Sequence, residues 1–168
     1  MKDFISTFLI GLTLLSQAAC VRTEHETFIL SEGFVGHVIV LYSQNGGERG
    51  PVFHVPTDGI LRVAGAAVGK GSNTEYLYQN KDNNTASITY LDHWGEGKTL
   101  QNISDSEAST EIFAFNDGGI GSFTIGDRTY KYRVFFIGHP ADRTRMYDEM
   151  VKHLFELRKT LVQNADGQ

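Results

Sequence analysis

With Cys20 as its only cysteine, the chain cannot close an internal disulfide, so its fold must rest on packing and hydrogen bonds. Basic residues are also scarce. The 15 Lys and Arg against 20 Asp and Glu give a formal net charge of −5, and a general nucleic-acid binder would need a basic face, so no nucleic-acid partner is expected. The histidines fall in no ligand spacing: there is no His-Glu-x-x-His, no His-x-His and no second cysteine, which leaves no sequence support for a metal. No Gly-x-Ser-x-Gly elbow is present for a serine hydrolase. Residues 65–71 come near a phosphate-binding loop, but the glycine spacing is one residue short and Gly71 stands where Ser or Thr would hold magnesium. No cofactor is implied. These absences weaken the case for an enzyme without removing it, because scattered residues can assemble a site in three dimensions.

The apolar run at 4–15 is too short to span a bilayer as a helix. It follows Lys2 and precedes the small residues Ala18 and Ala19, with Cys20 next. That layout resembles a bacterial lipoprotein signal, in which cleavage leaves the cysteine as the lipidated N-terminus. Residues 1–19 then read as the signal and 20–27 as a short polar tether. Gln17 departs from the aliphatic residue usual three places before the cysteine, and cleavage after Ala18 is the alternative, giving a periplasmic or secreted protein. Lipidation accounts for a lone thiol at the end of a leader, and acyl chains hold a protein on a membrane. Val21 takes the place where, under the enteric sorting rule, an Asp retains lipoproteins at the inner membrane. The outer membrane is therefore the expected location, with the membrane as partner through the lipid and an envelope protein as a second partner.

The folded domain is expected over 28–163, followed by a polar tail at 164–168. Its nucleus, 28–63, holds three apolar runs separated by turn residues, the pattern of consecutive strands. Residues 35–42 are apolar on both faces, as in a central strand. Pro56 lacks an amide hydrogen and must end or bulge the ladder. Phe-Ile-Leu-Ser-Glu-Gly-Phe-Val-Gly-His-Val at 28–38, with Val-Pro-Thr-Asp-Gly-Ile-Leu at 55–61, resembles an uncharacterised domain family of bacterial envelope lipoproteins. Residues 75–78 and 135–138 extend the resemblance, while Ser31 replaces the family's usual Pro. The family brings no known activity with it.

Downstream, 75–79 and 86–91 bracket the polar turn 80–84 as a hairpin, and 95–109 reads as a long exposed loop. Gly126-Asp127 separates two apolar runs as a tight hairpin. Tyr130, Tyr132, Val134 and Phe136 share one face and Lys131 and Arg133 the other, so one side of this strand is expected to be partly wet. Residues 141–162 read as an amphipathic helix. Met150, Leu154, Leu157 and Leu161 form its stripe, Tyr147 and Val151 widen it, and Pro140 suits its first turn.

Two clusters are candidate ligand-binding residues. Asp92, His93 and Trp94 place a carboxylate, an imidazole and an indole at a loop mouth, against the plainer reading of a strand end whose Trp caps the core. His139 precedes Pro140 and would stand beside a helix N-terminus, against a plain strand-to-helix turn. His37 and His54 read as strand residues and His153 as an exposed helix residue.

The expected fold is a mainly antiparallel β-sandwich, prealbumin-like or immunoglobulin-like in layout, with one C-terminal helix packed on it. An α+β single sheet covered by the helix is the alternative. The expected function is that of a membrane-tethered envelope lipoprotein acting as a non-catalytic binding or structural module, with an envelope enzyme as the alternative.

Overall fold

The computed structural model describes residues 25–67, 74–93, 98–115 and 119–166. The signal segment, Cys20, Trp94 and most of the near-phosphate-loop stretch lie outside the described residues. The chain is mainly sheet. Its first strands are β1 (Glu26–Ser31), β2 (Gly36–Leu41), β3 (Val52–His54) and β4 (Ile60–Arg62). Then come β5 (Thr74–Gln79), β6 (Thr85–Ser87) and β7 (Tyr90–Leu91), the short helix α1 (Asp105–Thr110), and β8 (Phe113–Phe115). The strands β9 (Gly121–Ile125) and β10 (Arg128–Gly138) lead through a 3-10 turn at Pro140–Asp142 into helix α2 (Arg143–Asp166).

The strands form two mixed sheets where antiparallel pairing was expected. The first has the order β3-β1-β5-β6 and the second β4-β2-β10-β8-β7, with β9 also on β10. The reason lies in the first four strands, which alternate between the sheets. β3 runs parallel to β1, with Thr27 opposite Val52, and β4 runs parallel to β2, with Ile39 opposite Ile60. The glycine-rich turns of the nucleus therefore carry the chain across from one sheet to the other. An in-sheet hairpin and a cross-sheet arch ask for the same turn residues. At the last of these turns Gly59 has φ +73° and a Cβ there would stand 2.5 Å from the His37 carbonyl oxygen, so no other residue fits.

The two local hairpins sit where the turn chemistry puts them. β5 and β6 pair antiparallel around Asn80, whose Oδ1 accepts from the amides of Asp82 and Asn84. β9 and β10 pair antiparallel about Gly126 (φ +55°) and Asp127. The stretch expected as a plain loop contains α1, whose N-cap is a capping box: Ser104 Oγ accepts from the Glu107 amide, and the Glu107 carboxylate accepts from the Ser104 amide. Lys98 and Ser104 together hold the Glu107 carboxyl at about 2.

Three layers result. Between the sheets lie Phe28 and Tyr76 from the first and Val38, Val40, Phe135 and Ile137 from the second, with the Phe135 ring 4.9 Å from Phe28 and 5.0 Å from Tyr76. The other face of the second sheet meets α2. Met146 and Met150 pack with Phe113, Phe115 and Phe136, and Leu157 packs with Ile39, Leu41 and Ile60. Tyr147 and Val151, expected in the buried stripe, are 54% and 46% exposed. They lie further round the helix than the sheet's contact reaches.

The side of β10 expected to be partly wet is wet at Lys131 and dry at Arg133. Arg133 shares its side of β10 with Phe135 and Ile137, which the first sheet covers, and it is fully buried. Arg133 Nη1 donates to Glu26 Oε2 at 2.5 Å, Nη2 to Thr74 Oγ1 at 3.3 Å, and the guanidinium lies 5.4 Å from the Phe28 ring centroid. Lys131, further out on the same side, stays exposed.

Removing one partner of this pair strands a buried charge. Arg133→Met is expected to lose about 3–5 kcal/mol in urea unfolding, and adding Glu26→Leu is expected to recover most of it. A single variant as stable as the wild type would show that the pair is not desolvated. For the helix, Leu157→Ala is expected to cost about 2–5 kcal/mol. A loss under about 0.5 kcal/mol would place α2 outside the cooperative core.

Candidate functional site

The site originates in a gap along β10. β8 pairs with β10 from Phe136 outward, and β9 takes up pairing at Tyr132. Among the described residues, neither strand partners this side of β10 over 133–135, and a cleft of about 500 Å³ lies there. Tyr132, Val134 and Phe136, alternating on the helix-facing side of β10, line it, and α2 adds Met150 with Tyr147. Gly119 and Gly121 contribute backbone. At Gly121 a Cβ would fall 2.4 Å from Tyr132 Cζ, so only glycine lets that ring lie across β9.

The opposite wall comes from β7 and the residues after it. Tyr90 lines the cleft with the Tyr76 ring stacked 5.7 Å away. Asp92 and His93 follow. Asp92 is fixed by its backbone, which bridges Thr99 and accepts from the Leu100 amide at 2.9 Å, while its Oδ1 accepts from the His93 amide at 2.8 Å.

Of the residues singled out from the sequence, the structure brings Asp92 and His93 into this cleft. Trp94 lies outside the described residues. His139 is elsewhere: its Nδ1 hydrogen-bonds the Glu111 carbonyl at 3.0 Å at the entry to the 3-10 turn, and it does not line the cleft. Tyr132, Tyr147 and Gly121 were not foreseen as site residues. Only the exposed tyrosine on a helix otherwise committed to the sheet gave a signal, and the apolar stripe absorbed it. Among the described residues, no group of three or more His, Cys, Asp or Glu is placed to hold a metal ion. No helix among them is long and apolar enough to cross a membrane.

Beside the cleft, β2 and α2 are joined by a histidine pair. His37 Nε2 lies 2.8 Å from His153 Nδ1, with the rings edge to face, so His153 is half-buried where an exposed residue was expected. One ring must donate and the other accept, so the bond does not survive protonation of both.

No family model and no curated protein sequence matches the chain. The resemblance at 28–38 and 55–61 to an envelope lipoprotein family therefore has no family match behind it. Among solved structures, the chain is similar to a crystal structure of a protein assigned as a lipoprotein from Bacillus anthracis, at 17% identity and a TM-score of 0.47. The similarity covers 77% of this chain and 93% of that one. A likeness of that degree carries no inference about activity.

The histidine pair makes stability depend on pH. Burial, then the neighbouring His153, lowers the affinity of His37 for a proton below its ordinary value of 6.5, against an opposing pull from Glu149. A depressed histidine value means that the unfolded chain takes up its proton first as pH falls. The contribution is thus fully present above 6.5 and is lost progressively below it. Urea midpoints between about pH 8 and pH 5 should fall more steeply for the wild type than for His37→Gln. Equal slopes would show that the pair is not coupled to folding.

Proposed function

We propose that the chain is a lipid-anchored module of a bacterial cell envelope, held through Cys20, that binds a small ligand in the cleft between the second sheet and α2. The cleft carries the binding half of this reading. Side chains from β7, β10 and α2 converge on the gap that β8 and β9 leave along β10. Its lining is mostly apolar and aromatic with few polar groups, the make-up of small-molecule sites. The described lining residues include no serine, cysteine or lysine to serve as a nucleophile. Asp92 and His93 sharing one wall is the observation that favours the competing reading, an envelope enzyme. Against it, Asp92 Oδ1 is engaged by a backbone amide.

The anchoring half rests on the sequence. A run too short to span, small residues before Cys20 and a chain otherwise free of cysteine point the same way. The short tether then keeps the domain at the membrane surface, with the outer membrane favoured by Val21.

The two halves are tested separately. Intact mass of the native mature protein is expected to show a species beginning at Cys20 with added acyl mass, and Cys20→Ser is expected to abolish it. An unmodified species beginning at Ala19 overturns the anchor. For binding, a small-molecule fragment screen by amide NMR is expected to give shifts clustered on Gly121, Tyr132 and Tyr147. A library that moves none of these overturns the ligand site.

A further inference from the structure

Helix α2 carries two apolar stripes, and the sheet covers one of them. Met146, Met150 and Leu157 are buried on the second sheet, whereas Tyr147, Val151, Phe155 and Val162 are exposed, Phe155 at 58%. At about 100° per residue, Val151 and Val162 fall within about 40° of Phe155, and Leu157 lies about 160° away. Exposed cations border this outer stripe on both sides, Arg158 on one and Lys152 and Lys159 on the other. Phe155, Arg158, Lys159, Val162 and Gln163 line a shallow groove of about 260 Å³, with Lys159 Nζ 4.7 Å from the Phe155 ring centroid. Glu156 is the single acid in 151–163, and Lys159 pairs with it at 2.9 Å. Neither Lys152 nor Arg158 has an ion-pair partner among the described residues. This face is therefore basic in a chain of net charge −5.

We propose that the C-terminal half of α2 rests on an anionic bilayer, with Phe155 and Val162 entering the headgroup boundary and Lys152, Arg158 and Lys159 meeting lipid phosphates. The inference rests on the lipid-anchored reading and adds which face of the domain meets the lipid. An apolar stripe bordered by cations is the composition of helices that lie in a membrane interface, and Lys and Arg near a membrane are drawn to anionic lipid. The tether points the same way. Leu161 packs on the cluster that holds Leu41, and Leu41 lies opposite Tyr132, next to the Arg133 that binds Glu26 at the start of β1. The end of α2 and the start of β1 thus lie at the same end of the two sheets. His25 is five residues past Cys20, at most about 18 Å of extended chain, so anchoring at Cys20 turns that end toward the membrane. A second copy of the chain fits less well. Packed antiparallel about Phe155, it would set Lys152 against Arg158 of the other chain, a like-charge contact.

The test reads contact at the helix itself. In the full-length Cys20→Ser chain, which carries no acyl group, Gln163→Cys supplies a single thiol for an NBD dye that brightens on entering a bilayer. Ala86→Cys, exposed on β6 of the first sheet, is the control position. Each labelled chain is titrated with phosphatidylglycerol vesicles and with phosphatidylcholine vesicles at about 0.05 M salt. Phosphatidylglycerol is expected to brighten the dye at 163 severalfold and leave it dark at 86. Phosphatidylcholine is expected to act about tenfold more weakly, and about 0.5 M salt to reverse most of the effect. Lys152→Gln with Arg158→Gln changes two exposed side chains and should weaken the response about 10- to 30-fold, and Phe155→Ser should weaken it severalfold. No brightening at 163, equal brightening at 163 and 86, or equal brightening with both lipids overturns the proposal. Brightening without vesicles that grows with protein concentration assigns the stripe to a second copy and overturns it as well. The anchor is judged by the mass of the native protein and this surface by a chain without acyl groups, so either reading can fail alone.

Discussion

Strand β10 is covered on both faces, and most of the structure follows from that constraint. Phe135 and Ile137 enter the core between the sheets, while Val134 and Phe136 face α2. A strand covered on both faces needs a continuous apolar run in place of alternation, and 134–137 supply one. β2, β8 and β9 all take their register from this strand. Where its sequence breaks the rule, at Arg133, the first sheet brings Glu26 to neutralise the charge. The start of β1 is thereby fixed to the middle of the second sheet.

The cleft is a by-product of the same strand. Eleven residues are more than either β8 or β9 can pair, and the two divide its edge unevenly. A stretch that the described strands leave unpaired would be a liability in an open sheet, because unpaired strand edges invite association. Here the residues around it are sorted by layer: backbone glycines on one side, β7 and Asp92 on the other, and α2 above. A helix built only to seal the sheet would end its contact with Met146, Met150 and Leu157. Tyr147 reaches beyond that stripe to the rim.

What could be read from the sequence was local. The turns at 80–84 and 126–127 name their own conformations, and the helix period of Met150, Leu154 and Leu157 names its own buried stripe. The capping box of Ser104 and Glu107 was equally legible, yet a polar composition masked it as loop. Pairing between layers was not legible. Gly33, Gly46 and Gly59 permit a reversal of the chain without saying whether the next strand returns to the same sheet or crosses to the other. For the same reason period-two alternation separated Arg133 from Val134 correctly but gave no hint that another sheet covers the arginine side. The candidate site divided along this line. Asp92 and His93 are sequence neighbours and were visible as a pair. Their company with Tyr132 and Tyr147 depends on two layers meeting.

The alternation of the first four strands between sheets bears on how the chain acquires its structure. β1 and β2 have no neighbour in sequence to pair with, and the central strand of the second sheet begins only at residue 128. Until that segment is available, more than two thirds of the chain can form only the β5–β6 hairpin, the short helix α1 and the short parallel pairings of β1 with β3 and β5, β2 with β4 and β7 with β8. Long-range and parallel pairings close large loops before they return any stabilisation, which slows folding. A chain made or threaded from its N-terminus thus stays pliable for most of its length and consolidates late, when β10 arrives to join the two halves.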